Sequence, residues 1–246
     1  MLNTKPIVYA DPPEAPLPQA LGFPDLRKEW RIVRETAHLA LAAPFLALAP
    51  RGSGEPVMLT PGWQTPQSSM EPLRRFLASK GYNAKHWGRG VNRGNVGEHI
   101  EKLLPIVSRR AEDEGCPVAL VGWSLGGVVS REIAREIPDA VSCVVTFGSP
   151  ILGGPVYTST GENLNAVERR DALNRVDERE RGKPIAVPMA TIFSRLDSIV
   201  DWPACIDRYS SQVTHYEVQS THLSMGLDPV VWRVVLDTLL AHARPE

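Results

Sequence analysis

The chain has 246 residues, 43% of them hydrophobic and 22% charged, which is enough to core one domain of the larger kind and too little for two generous ones. A net charge of −1, with no basic run longer than two residues, argues against nucleic acid or an anionic membrane surface as partner and suits a small neutral substrate. Cys116, Cys143 and Cys205 lack metal-ligand spacing and leave at least one thiol unpaired, Met1–Pro6 lacks the apolar core of a signal peptide, and no run is long enough to span a bilayer; a cytoplasmic protein without stable membrane insertion is expected.

Residues 1–24 are proline-rich and read as an extended surface arm without chemistry. From Asp25, a candidate N-cap, to about Leu48 the pattern is helical, with Trp30, Val33, Ala37, Leu41 and Phe45 predicted to face inward and a break expected near Ala43, before Pro44. The segment lacks the Lys/Arg face of an interfacial helix, so packing beside a sheet is expected, and residues 1–50 form an arm and helix laid on a main domain of residues 51–246.

Val57–Thr60 is a short buried strand delivering the turn Pro61-Gly62-Trp63-Gln64-Thr65-Pro66. A helix follows from Ser68, its cap, to the stop at Gly81, burying Leu73, Phe76 and Leu77; Tyr82–Trp87 is then a strand, so the unit points to a mostly parallel sheet. Gly88–Gly97 is glycine-dense but fits neither a P-loop nor a dinucleotide fingerprint, and reads as a strand-to-helix loop at the rim of a site. The next helix, Glu98–Glu112, turns Ile100, Leu103, Leu104 and Val107 inward, with His99 facing solvent.

Val118–Val121 runs as a strand into Gly122-Trp123-Ser124-Leu125-Gly126, and a helical pattern opens at once behind it. A serine at such an apex takes a strained backbone conformation, and glycines two residues either side remove Cβ atoms that would collide with strand and helix. Its hydroxyl is then exposed at a helix N-terminus, where the Leu125 amide and the helix dipole favour negative charge. On these residues the chain resembles an α/β-hydrolase of the lipase and esterase branch. The resemblance covers about residues 52–243. It implies an α/β fold with a mostly parallel sheet flanked by helices, and a small helical cap after the strand that follows the nucleophile helix.

In that fold the loop after the first main-domain strand supplies a second oxyanion amide. Here Pro61-Gly62 stands where many members have His-Gly, a form similar to lipases of the lipase-B type, and Trp63, or alternatively Gln64, carries the matching N–H. Val141–Phe147 is a further strand, and residues 151–186 follow as the expected cap, with a charged helix over 163–181 whose thin stripe of Leu164, Val167, Leu173 and Val176 describes a mobile element. After the strand Pro188–Ser194 comes Ser194-Arg-Leu-Asp197-Ser-Ile-Val200, a form resembling the acid turn of lipases. It selects Asp197, with Asp201 the rival and more plausible as a helix cap. His222 leaves the edge-side strand Gln212–Val218 in a loop suited to a general base, whereas His215 lies within that strand; Asp228 and Pro229 open the last helix.

The order Ser124, Asp197, His222 is the one the resemblance demands, and it implies acyl transfer without metal or organic cofactor. Trp63, Trp87, Trp123 and Trp202 near strand ends, with Met225 beside His222, suggest an apolar pocket, Trp87, Trp123, Trp202 and Met225 being its candidate lining. The expected substrate is a small-molecule ester or lipid with an apolar acyl group; thioesterases, amidases and acyltransferases use the same parts.

Overall fold

The computed structural model describes residues 5–22 and 26–243. Its centre is a seven-stranded sheet built from β1 (Ile7–Tyr9), β2 (Pro56–Thr60), β3 (Asn83–His86), β4 (Val118–Trp123), β5 (Val141–Phe147), β6 (Met189–Phe193) and β7 (Val213–Glu217), in the order β1-β7-β6-β5-β4-β2-β3. All neighbours are parallel except β1, which runs antiparallel to β7. The N-terminal arm thus contributes the edge strand, and β7, expected near the edge, is paired on both sides.

The main-domain strands are short apolar runs because both faces are covered. Alternate residues go to opposite sides: Val57, Leu59, Val121 and Val145 meet Leu73, Phe76 and Leu77 of α3 (Glu71–Ser79) and the inner residues of α7 (Pro229–Ala241), while Met58, Leu120 and Val144 meet α4 (Val96–Glu114) and α5 (Leu125–Glu136). Parallel pairing carries the C-terminal ends of β2, β4, β5, β6 and β7 to one rim of the sheet: Thr60 pairs with Gly122, Trp123 with Phe147, Phe147 with Ile192, and Phe193 with Glu217. Loops from five strands converge there, the place where open parallel sheets put their sites.

Three expectations are corrected. The N-terminal helical stretch is two pieces, α1 (Leu26–Glu29) and α2 (Arg31–Ala47), and α2 continues through Pro44 without a break at Ala43. Asp25 lies outside the described residues. Trp30, Val33, Leu41 and Phe45, expected inward, are all exposed, as is Ala37; Glu35, Leu46 and partly Leu39 and Ala42 face the core instead. The C-terminal half of α2, apolar nearly all round, has no periodicity to choose its face, so the shape of the surface it meets decides. His99 is buried at 6% exposure, its ring 4.7 Å from that of Trp87, with neither ring nitrogen hydrogen-bonded among the described residues.

The cap segment is held by contacts that no apolar pattern shows. Between β5 and β6 it holds two short turns and α6 (Ala166–Gly182), whose N-terminus is closed by a capping box of Asn165 and Glu168. Few apolar contacts were expected to hold it. Glu180, 3% exposed, nevertheless pairs with Arg131 at 2.9 Å and Arg135 at 2.6 Å on α5, and Arg131 also meets Asp207 at 2.6 Å. Buried ion pairs, which no hydrophobic pattern registers, fasten α6 to the helix behind Ser124.

Candidate active site

Ser124 sits between β4 and α5 with φ 53° and ψ −123°, and among the described residues only Gln64 is another non-glycine at positive φ. That conformation is expensive for a side-chain-bearing residue and persists because the surroundings over-determine it. The Ser124 amide donates to the Phe147 carbonyl at 2.9 Å, and its own carbonyl accepts from the Gly127 amide at 2.9 Å. A Cβ on Gly122 would strike the backbone of Gly126 and Gly127, and one on Gly126 would strike the Thr60 carbonyl. The two glycines are therefore dictated by the close crossing of helix and strands.

The Pro61–Pro66 loop lies against this bend. A Cβ on Gly62 would come within 3.3 Å of the Ser124 Cβ. The Gln64 amide is taken by the Asn92 carbonyl at 2.7 Å, and the buried Asn92 side chain donates to the Pro61 carbonyl at 2.8 Å. The Trp63 amide meets no acceptor among the described residues. Leu125 opens α5, and an amide in the first turn of a helix has no intrahelical acceptor. Asn92, which sequence reading did not single out, thus fixes this loop from the glycine-dense segment; its only signal in sequence is an amide side chain among turn residues.

His222 and Asp197 meet with Nδ1 2.7 Å from Oδ2. The aspartate side chain is 1% exposed and the histidine side chain 4%. The other oxygen of Asp197 accepts the amides of Ile199 and Val200, each at 2.8 Å, so the acid is locked in the turn after β6 with one oxygen left for the imidazole. The ring of His222 lies over Gly148, where a Cβ would be 3.0 Å from Nδ1, and its centroid is 5.8 Å from that of Trp123. It is therefore bordered by the residue before Ser124 and by the residue after Phe147, the acceptor of the Ser124 amide. No hydrogen bond involves Ser124 Oγ among the described residues.

The rivals lie elsewhere. Asp201 accepts the Gln19 amide at 2.6 Å, and burial, with the nearby Asp197 charge adding to it, raises its pKa. It stands at the N-terminal position of the short turn Trp202–Cys205 but makes no side-chain cap there. His215 is fully buried in β7 and accepts the Asp207 amide through Nε2 at 3.1 Å; burial lowers its pKa.

The residues expected to line an apolar pocket are mostly packed core. Trp87 is 1% exposed and donates its indole N–H to Gly90, Met225 is fully buried beside Gly148, and Trp123 is stacked on Phe147. Trp202, half-buried, takes the Phe193 ring at 5.5 Å and the Arg195 guanidinium at 4.0 Å. Large aromatic surfaces near strand ends are consumed by packing under the loops. A cavity of about 290 Å³ lies instead between α5 and α6, bounded by Leu125, Val128, Pro150, Ile151, Ala172 and Val176 and, on its other side, by charged residues including Arg131 and Glu180. The aliphatic residues carry no motif, which is why sequence reading did not find them.

Among the described residues one set of metal-type donors converges, Glu35, His38 and Asp228, on α2 and at the start of α7. Its carboxylates already have partners: Arg34 lies 2.7 Å from Glu35, and Asp228 accepts the Val230 amide at 2.7 Å. No described helix is long and apolar enough to cross a membrane.

Comparison with known proteins places this architecture. No family model matches the chain, and no curated protein does. Among solved structures, it superposes on Est1E of Butyrivibrio proteoclasticus, with ferulic acid bound, with a TM-score of 0.61 at 14% identity, covering 77% of this chain and 90% of that one. A structure from the metagenome-derived lipolytic enzymes LipS and LipT gives 0.60 at 16%, covering 79% and 97%. The monoacylglycerol lipase of Paleococcus ferrophilus gives 0.58 at 17%, covering 79% and 98%.

Proposed function

We propose, from the α/β-hydrolase fold of this chain, that it is a serine carboxylic-ester hydrolase working through an acyl-enzyme on esters with apolar acyl groups. The observation that carries the proposal is the buried 2.7 Å pair of His222 and Asp197 on the rim that holds the strained Ser124. In this reading His222 removes the Ser124 proton as Oγ attacks the ester carbonyl, and Asp197 keeps the imidazole in the required tautomer and stabilises its cation. The amides of Trp63 and Leu125 receive the negative charge on the carbonyl oxygen, and collapse expels the alcohol with the proton held by His222. Water, deprotonated by His222, then attacks the acyl-enzyme, and the carboxylic acid leaves as Ser124 regains its proton. The sequence needs no metal or organic cofactor.

The cavity that includes Leu125, the residue after Ser124, has an aliphatic part that supports an apolar acyl group. The lipolytic and esterase activities of the structural neighbours agree with the reaction class. The test is hydrolysis of p-nitrophenyl esters of graded chain length, together with labelling by a fluorophosphonate. Turnover and labelling that both vanish in Ser124→Ala are expected; a folded protein inert to every ester and to the probe overturns the proposal.

A further inference from the structure

The N-terminal segment reaches the loops that carry the histidine and the acid. Glu29, the last residue of α1, is 6% exposed. Its Oε2 accepts the amide of Leu223 at 3.1 Å, and its Oε1 lies 3.5 Å from the Ser198 hydroxyl, which donates to it. Leu223 follows His222 in the chain, and Ser198 follows Asp197. One carboxylate therefore joins the backbone amide just after His222 to the side-chain hydroxyl of the residue just after Asp197, from a position 194 and 169 residues away in sequence. The same segment touches the acid turn a second time, through the Gln19 amide on Asp201 at 2.6 Å.

Both oxygens of the carboxylate are engaged, one by a backbone amide and the other by a hydroxyl. The arrangement supplies a fixed separation between two loops that emerge from different strands, β6 and β7. The imidazole must meet the carboxylate and reach the serine at once, and a shift of about 1 Å in such a constellation can lower a rate by roughly 100-fold.

We propose that Glu29 is a positioning residue for the His222–Asp197 pair: by bridging Leu223 and Ser198 it sets the spacing of the two loops. The inference rests on the serine-hydrolase reading given above. It predicts that the reach of the side chain matters and its charge does not. Glutamine keeps the reach, with a carbonyl oxygen for the Leu223 amide and an NH₂ for the Ser198 hydroxyl; aspartate keeps the charge but is one methylene shorter.

The experiment compares wild type, Glu29→Asp and Glu29→Gln for kcat and KM on a p-nitrophenyl ester and for the rate of fluorophosphonate labelling of Ser124. Expected are a fall of about tenfold in kcat and in labelling rate for Glu29→Asp with KM unchanged, and values within about threefold of wild type for Glu29→Gln. Wild-type rates in Glu29→Asp overturn the inference, as does an equal loss in Glu29→Gln, which would assign the effect to charge. If wild type labels at Ser124 and both variants match it, only the positioning role fails; if wild type is neither labelled nor active, the hydrolase reading fails and takes this inference with it.

Discussion

His222 Nδ1 lies 2.7 Å from Asp197 Oδ2, while the remaining oxygen of that carboxylate is held by two backbone amides. A carboxylate fixed on one side has a single orientation to offer the ring, and so selects which imidazole nitrogen carries the proton. Replacing Asp197 by asparagine presents the wrong polarity at that oxygen. The expected result is a fall in kcat on the order of 10³ to 10⁴ with little change in KM. Asp201→Asn, whose carboxylate faces Gln19, is expected to stay within about tenfold of wild type. Steady-state kinetics on one ester decides between the two acids.

Asn92 holds the loop beside Ser124 through Pro61 and Gln64. Truncation to alanine leaves the Pro61 carbonyl without that donor and slackens the first part of the loop, next to Trp63, while the backbone bonds of Asn92 to Gln64 and Thr65 remain. Asn92→Ala is expected to lose about 1–3 kcal/mol of stability and to lower kcat by roughly tenfold or more at similar KM, because an oxyanion donor acts in the transition state. Urea unfolding and ester hydrolysis on the same sample test both halves; a stability loss with kcat intact would dissociate the loop from the chemistry.

Acid should loosen the attachment of the Asp207 loop to Arg131 of α5. Burial works to raise the pKa of Asp207, but the Arg131 guanidinium at 2.6 Å and the amides of Ser210 and Tyr209 prevail, and it is lowered to about 2 from an ordinary 3.8. A folded-state pKa below the unfolded one contributes stability above the ordinary value and loses it as pH falls through the folded value. The window is therefore about pH 4 down to about pH 2, with roughly 2 kcal/mol at stake from this group. Arg131→Met strands Asp207 and Glu180 without that cation, at a cost of about 3–5 kcal/mol near neutrality. Because stranded carboxylates can take up protons, the deficit should shrink towards acid. Urea titrations of both proteins between pH 7 and 3 measure it, and a deficit independent of pH would contradict the assignment.

Some of this was legible from residues alone because local sequence dictates it. The two glycines around Ser124 are required by backbone crossings that no side chain tolerates, and the strand–turn–helix they occupy is short enough to be written in one stretch. The strands β2, β4, β5 and β6 were visible as apolar runs for a related reason: both faces of the sheet are covered, so every residue must be apolar or small. The capping of α7 by Asp228 likewise involves neighbours in sequence, with the Val230 amide bound at 2.7 Å.

Other features had no local signature. The inward face of α2 was misassigned because its C-terminal half is apolar on every side, and only the surface beneath it picks Leu46 over Phe45. Trp87 and Trp202 looked like pocket walls until packing against His99, Phe193 and Arg195 occupied them. The partners Glu180 with Arg131, Asn92 with Pro61, and Glu29 with Leu223 are separated by 49, 31 and 194 residues.

The chain of residues by itself pointed to most of the main-domain elements, to a mostly parallel sheet, and to a candidate serine, aspartate and histidine each following its own strand. Folding in three dimensions decided which acid faces the imidazole, which helix face is buried, and which distant carboxylate braces the loops. The division has one physical origin: backbone geometry and burial are imposed on each segment by its own residues, whereas an ion pair or a hydrogen bond between side chains exists only once two remote segments have been brought within about 3 Å of each other.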